Sequence, residues 1–241
     1  MKIVIGFLFL FLSFTGGFAQ QMVMSTLYSG QKPGVLFEGE MAPLKDTRFE
    51  LLSIPSGQSY DVEGTDREYL LLIRGGAGEF SSDALTGELT PGSIALVQTG
   101  VGFSLKNGGS KTLVFYLFSY KAKMKKPAPD TSRSLVRTWE NITFMPHDKG
   151  GIRRYFDQAT SETSRFEMHV TTLNGGLRSH DPHTHKAEEI VLMIEGDTEM
   201  QIGDRFFKGT AGDVYFLGSN IPHAIRNTGD KPCMYFAFQW Q

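Results

Sequence analysis

Apolar residues along this chain fall into short runs punctuated by glycine turns. The segment Phe166-Glu-Met-His-Val170 alternates, with Phe166, Met168 and Val170 on one side and Glu167, His169 and Thr171 on the other. A period of two predicts a half-buried strand. It puts His169 on the polar face, and inside a barrel with a polar pocket that face can be the inner one; the pattern leaves both orientations open. Other runs are more uniformly hydrophobic, as in Glu68-Tyr-Leu-Leu-Leu-Ile-Arg-Gly75 and Glu189-Ile-Val-Leu-Met-Ile-Glu-Gly196. Abundant β-formers separated by glycine turns predict an all-β protein.

The runs also repeat. The first unit continues through Leu89-Thr-Pro-Gly92-Ser-Ile-Ala-Leu-Val, Asn107-Gly-Gly and Thr112-Leu-Val-Phe-Tyr-Leu-Phe. The second continues through Thr210-Ala-Gly212-Asp-Val-Tyr-Phe-Leu, Asn227-Thr-Gly and Met234-Tyr-Phe-Ala-Phe, at an offset of 120 to 121 residues throughout. A period this long indicates duplicated domains rather than a solenoid. Aligning the units matches Glu68 to Glu189 and Asn107 to Asn227, and it sets Val62, Gly64 and Phe103 against His183, His185 and His223. All six histidines lie after residue 146. The expected organisation is a metal-free structural domain over residues 30–120, a linker over 121–134, and a second domain over 135–241 that carries the chemistry. Lys121-Ala-Lys-Met-Lys-Lys126 followed by Pro127-Ala-Pro129-Asp130 reads as solvated linker.

Composition changes the picture in three places. A formal net charge of −2 gives no sign of nucleic-acid binding. Residues 1–19 join Lys2, an apolar run from Ile3 to Phe14, and the small residues before Ala19. This is the pattern of a secretory signal peptide, too short for a membrane span, so the mature chain is expected to be secreted or periplasmic and free of the membrane. Cys233 is the single cysteine, which excludes an intrachain disulfide and reads as a small buried residue of a late strand.

The candidate chemistry lies in His183-Thr-His185, Glu189 and, 34 residues on, His223. In an extended segment His183, His185 and Glu189 share a face. Three imidazoles and a carboxylate suit one divalent transition metal, Mn, Fe, Co, Ni or Zn, and leave positions open for water or substrate. His180, in the loop Arg178-Ser-His-Asp-Pro182, is a candidate proton carrier. Arg178 is a candidate clamp for a substrate carboxylate. Arg226, three residues after His223, is expected on the outer side of its strand.

The spacing His183-x-His185-x3-Glu189-x6-Gly196, with Gly212, His223 and Asn227, resembles the two motifs of the cupin superfamily. Gly218 and Asn220 stand where the second motif commonly has proline and glycine. The resemblance covers both units and implies a bicupin: two tandem double-stranded β-helix (jelly-roll) barrels, with metal in the second. Its layout is similar to the (S)-ureidoglycine aminohydrolases, which have an N-terminal cupin without metal and a C-terminal one with manganese. That family presents Glu, His and Gln where His183, Glu189 and His223 stand, so the resemblance extends to architecture rather than to activity.

Three functions are consistent with these residues. The first is a metal-dependent enzyme acting on a small oxygenated anion such as a sugar acid, by isomerase, lyase or hydrolase chemistry. The second is an oxygen-using non-haem metal dioxygenase. The third is a non-enzymatic, metal-dependent binding protein for a small molecule. Closing aromatic strands and a two-domain build suggest a homo-oligomer.

Overall fold

The computed structural model describes residues 21–124 and 130–241. The signal peptide expected over residues 1–19, and part of the expected linker, lie outside the described residues. Strands β1 (Thr26–Tyr28), β2 (Gly34–Gly39), β3 (Leu44–Ile54), β4 (Ser59–Val62), β5 (Glu68–Gly75), β6 (Gly78–Ser82), β7 (Thr86–Leu89), β8 (Ile94–Val97), β9 (Phe103–Lys106) and β10 (Leu113–Ala122) come first. They are followed by β11 (Leu135–Arg137), β12 (Met145–His147), β13 (Gly150–Gln158), β14 (Phe166–Leu173), β15 (Glu188–Glu195), β16 (Asp197–Ile202), β17 (Arg205–Thr210), β18 (Val214–Leu217), β19 (His223–Asn227) and β20 (Cys233–Trp240). Among the described residues there is no α-helix, so the fold is all-β.

Each repeat curls a large sheet against a small one to make a barrel. The first sets β11-β8-β5-β10-β3-β2 against β4-β9-β6-β7, and the second sets β1-β18-β15-β20-β14-β13-β12 against β17-β16-β19. Glycine makes the tight links: Gly76 and Gly196 have φ of 79° and 80°. A Cβ there would sit 2.9 Å from the carbonyl of Thr112 and 2.7 Å from the Cβ of Cys233, so the hydrophobic strand must end in glycine.

The sequence-drawn boundaries need one correction. β1, which precedes the first repeat, pairs with β18 of the second, with Thr26 opposite Phe216, while β11 leaves the second repeat and pairs with β8 of the first, with Leu135 opposite Leu96. Residues 135–137 therefore complete the first sheet, not the second. The reason is physical: β8 and β18 are buried at every position, and an apolar strand of that kind needs a partner on its outer edge.

Alternation along the large sheets divides the interior into three. Inward residues fill each barrel separately, around Leu71, Phe103 and Phe115 in the first and Val191, Tyr215 and Tyr235 in the second. Outward residues of both large sheets form one shared core that includes Phe49, Phe118, Phe238 and Trp240. Rings meet across this seam, Phe118 lying 5.3 Å from Trp240 and Phe49 6.2 Å from Phe238. The uniformly hydrophobic runs of β5 and β15 follow from this, since a strand covered on both faces has no polar side.

The two barrels also clasp each other symmetrically at one end of the seam. Glu68 accepts the N–H of Glu162 at 3.3 Å, and Glu188 accepts the N–H of Ala42 at 2.8 Å. Tyr120 donates its hydroxyl to Glu68, and Trp240 occupies the matching place beside Glu188.

This register corrects two of the sequence matches. Glu68 lies opposite Tyr120 as Glu188 lies opposite Trp240, so Glu68 corresponds to Glu188. Tyr69, opposite Ser119, stands where Glu189 lies opposite Gln239. Thr65, whose carbonyl accepts the N–H of Gly100, holds the place of His185, whose carbonyl accepts the N–H of Asn220. Val62 pairs with Phe103 as His183 pairs with His223. The first repeat simply has one more residue between the first two of these positions. Where the second barrel sets an imidazole beside a carboxylate, the first sets the Thr65 and Tyr69 hydroxyls 2.9 Å apart. The rings of Tyr69 and Phe80 pack on Phe103 and fill the space.

Candidate metal centre

His183 does not belong to a regular strand. Strand β15 begins only at Glu188, and the chain before it is a loop tied down by backbone hydrogen bonds, first at His183. There His183 and His223 exchange backbone hydrogen bonds of 3.2 and 3.0 Å. A second tie is the N–H of Asn220 to the carbonyl of His185, 2.8 Å. Asn220 has φ of 59°, a left-handed conformation that asparagine tolerates better than most residues; it takes the role of the motif's glycine. The ligand candidates converge because the loop is pinned, rather than because one strand aligns them.

One ring nitrogen from each of His183, His185 and His223 lies within 4.8 Å of the other two. The Nδ1 of His185 lies 2.8 Å from the carbonyl of Ala187, and the Nδ1 of His223 lies 2.8 Å from the carbonyl of Ile221. A carbonyl only accepts, so both Nδ1 atoms carry hydrogen and donate. That leaves each Nε2 turned to the centre, the usual outer support of a metal-binding imidazole. The Nε2 of His223 is buried with no hydrogen-bond partner. Such atoms are rare in native proteins, and this one fits a metal ligand.

Glu189 completes the cluster. Its Oε2 lies 3.3 Å from the Nε2 of His185 and 3.5 Å from the Nε2 of His223. Burial pushes the Glu189 carboxyl up, but the two imidazoles outweigh it and hold the group at about 2. The hydrogen bond to Glu189 raises His185 in turn, against its burial. His183 is lowered, by burial and then by the neighbouring His180, His223 and His185. Without a cation, then, the carboxylate is ionised, and its bond to His185 favours a proton on that ring. A divalent cation would replace that proton, which is why binding at such sites releases protons.

The cluster opens into a cavity of about 210 Å³ within the second barrel. Val191, Met200, Leu217, Ile225 and Ala237 give it an apolar floor. His180 sits at the rim, exposed, its ring 4.1 Å from that of His183 and its Nδ1 3.1 Å from the carbonyl of Asp181. Arg178 is exposed and bridges to Arg226, which is also exposed; neither lines the cavity. His169 and Gln239 do line it, so the polar face of β14 is the inner one. Sequence reasoning singled out His169 without its orientation and passed over Glu167 and Gln239. The signal was the register: Glu167, Gln239 and Glu189 are direct cross-strand neighbours on one face.

Comparison with known proteins agrees with this geometry. Residues 169–238 match the cupin domain family model. A stretch of 52 residues is 38% identical to the H2HPP isomerase of Bacillus subtilis, covering 21% of this chain and 22% of that protein. The chain thus spans about a fifth of the length of that curated relative. Among solved structures, AerE from Microcystis aeruginosa has a TM-score of 0.68 at 15% identity, covering 90% of this chain and 100% of that one. A putative glyoxylate-induced protein from Pseudomonas aeruginosa has a TM-score of 0.71 at 15% identity, covering 91% and 83%. Oxalate decarboxylase from Lactobacillus farciminis, in complex with formate, has a TM-score of 0.68 at 12% identity, covering 91% and 87%. At these identities the likeness is one of fold. The protein is an all-β jelly-roll with a histidine cluster in one barrel. Its second repeat contains a cupin domain, and both of its repeats carry the jelly-roll fold.

Proposed function

We propose that the second barrel is a metal-dependent enzyme centre for a small oxygenated anion, such as a sugar acid, and that the chain works after export. The observation that carries this reading is the convergence of His183, His185 and His223 beside the ionised Glu189, with the buried Nε2 of His223 3.5 Å from that carboxylate and making no hydrogen bond. These four residues would hold one divalent transition metal, Mn, Fe, Co, Ni or Zn. Bound there, it supplies a Lewis acid for a carbonyl, hydroxyl or carboxylate oxygen. The chain's own residues supply the remainder. The apolar floor excludes water and shapes the cavity, while the exposed His180 stands where a proton can pass to solvent. Isomerase, lyase or hydrolase chemistry fits these parts. The similarity to an isomerase and to an oxalate decarboxylase supports an enzyme over a passive binder.

Elemental analysis of untagged protein tests the centre. The expected result is about one equivalent of Mn, Fe, Co, Ni or Zn, lost in the His183→Ala/His185→Ala double variant with the fold retained. A wild-type chain that takes up no metal on reconstitution would overturn the reading.

A further inference from the structure

The wall of the cavity formed by β14 and β20, next to Glu189, holds a second polar device. The Nδ1 of His169 lies 2.7 Å from Oε1 of Glu167, and Nε2 of Gln239 donates to Oε2 of the same carboxylate at 3.0 Å. The side chain of Glu167 is only 5% exposed, whereas that of His169 is 20% exposed and borders the cavity. Burial raises the Glu167 carboxyl, yet His169, Gln239 and Arg165 together outweigh this and lower it below its ordinary value. A carboxylate with both oxygens occupied by donors stays ionised and fixes the ring it holds. Strand β13 sets the exposed Arg154 beside His169, and the remaining titratable groups around the cavity are His180, His183, His185, Glu189, His223 and the buried Tyr235.

We propose that His169 is the proton carrier of this centre, with Glu167 and Gln239 as the residues that position it. The assignment rests on the enzymatic reading above. Held through Nδ1–H, the ring turns an unprotonated Nε2 to the cavity. In the first half-reaction a C–H bond next to a carbonyl breaks. Its electron pair remains on the substrate as an enolate, and the proton goes to Nε2. The resulting imidazolium is paired with Glu167. In the second half Nε2 returns the proton to a different atom of the same molecule, and no oxidant or reductant is consumed. The ligand class is therefore a small anion with a carbonyl-activated C–H bond.

Two measurements test this on the metal-loaded chain, with metal content determined in the same samples. The first needs no variant other than for assignment. In a ¹⁵N-histidine spectrum at alkaline pH, His169 should be protonated at Nδ1 and not at Nε2. The opposite tautomer would overturn the proposal. The second follows deuterium wash-in from D₂O into pyruvate and D-glucuronate. Wild type should catalyse exchange into at least one of them, and His169→Gln should lose roughly 100-fold or more of the rate at unchanged metal content. Glu167→Gln should move the acid limb of the pH–rate profile to lower pH, which a purely structural role would not do. Full-rate exchange by metal-loaded His169→Gln overturns the proposal. So does the absence of exchange in metal-loaded wild type, which leaves the metal centre itself standing. Failure to load metal would instead defeat the reading beneath it.

Discussion

One buried asparagine closes each repeat. Asn227 is fully buried; its Nδ2 donates to the carbonyls of Leu173 and Lys231, both at 2.8 Å, and its Oδ1 accepts the N–H of Gly229 at 2.9 Å. Asn107 makes the same three bonds in the first barrel, to Ile54, Lys111 and Gly109. Replacing Asn227 by Ala leaves two carbonyls and one N–H without partners. We expect a loss of about 1–3 kcal/mol in urea unfolding, since a buried orphan costs on that order and the Leu173 carbonyl is buried while the Lys231 carbonyl and Gly229 N–H are only partly so. Asn227→Asp should be no better, because a carboxylate cannot donate to the two carbonyls. A change below about 0.5 kcal/mol would contradict this account. At this scale much of the site was legible. The clustering of His183, His185 and His223 was readable because their residue types and spacing are those of a metal-binding motif. His169 was not legible, because alternation says that a residue lies on the polar face without saying which face the barrel encloses. Thr65 and Tyr69 were missed because matching glutamate to glutamate skipped the extra residue of the first repeat.

Among the elements, the strand runs were readable from periodicity, but their exchange between barrels was not. β1 has only three residues, and what gives it a place is an apolar edge nearly two hundred residues away in sequence. No local pattern records a pairing of that range. The hydroxyl of Ser25 adds to it by accepting the N–H of Gly218 at 2.8 Å, next to the loop that leads to His223. A chain lacking residues up to Tyr28 should therefore expose the edge of β18. We expect a lower melting temperature together with self-association by size-exclusion chromatography, the usual fate of a bare apolar edge. An elution volume and melting temperature unchanged from the full chain would show that β18 is protected by something other than β1.

For the whole molecule, the shared core makes the two barrels one packing problem, and Glu68 lies at its closed end. The residue is fully buried and accepts hydrogen bonds from Tyr120 and from the backbone N–H of Glu162 in the other repeat. Burial raises its carboxyl from 4.5 to about 7, despite the lowering effect of the Tyr120 hydroxyl. A folded-state value above the unfolded one means that the protonated form is the one the fold prefers. Its contribution is complete below the unfolded value of 4.5 and is lost as pH rises through about 7. At one pKa unit per 1.36 kcal/mol the span is on the order of 3 kcal/mol. Glu188, raised by burial at the matching place, acts in the same direction, whereas Glu189, held at about 2, acts in the opposite direction and only in acid. Comparison with Glu68→Gln separates these terms, because a neutral amide keeps the shape without the titration. The wild-type urea midpoint should fall between pH 5 and pH 8 relative to that of Glu68→Gln, whatever uniform offset the amide introduces. Parallel curves over that interval would mean that Glu68 stays charged in the folded chain and that the seam between the barrels admits water.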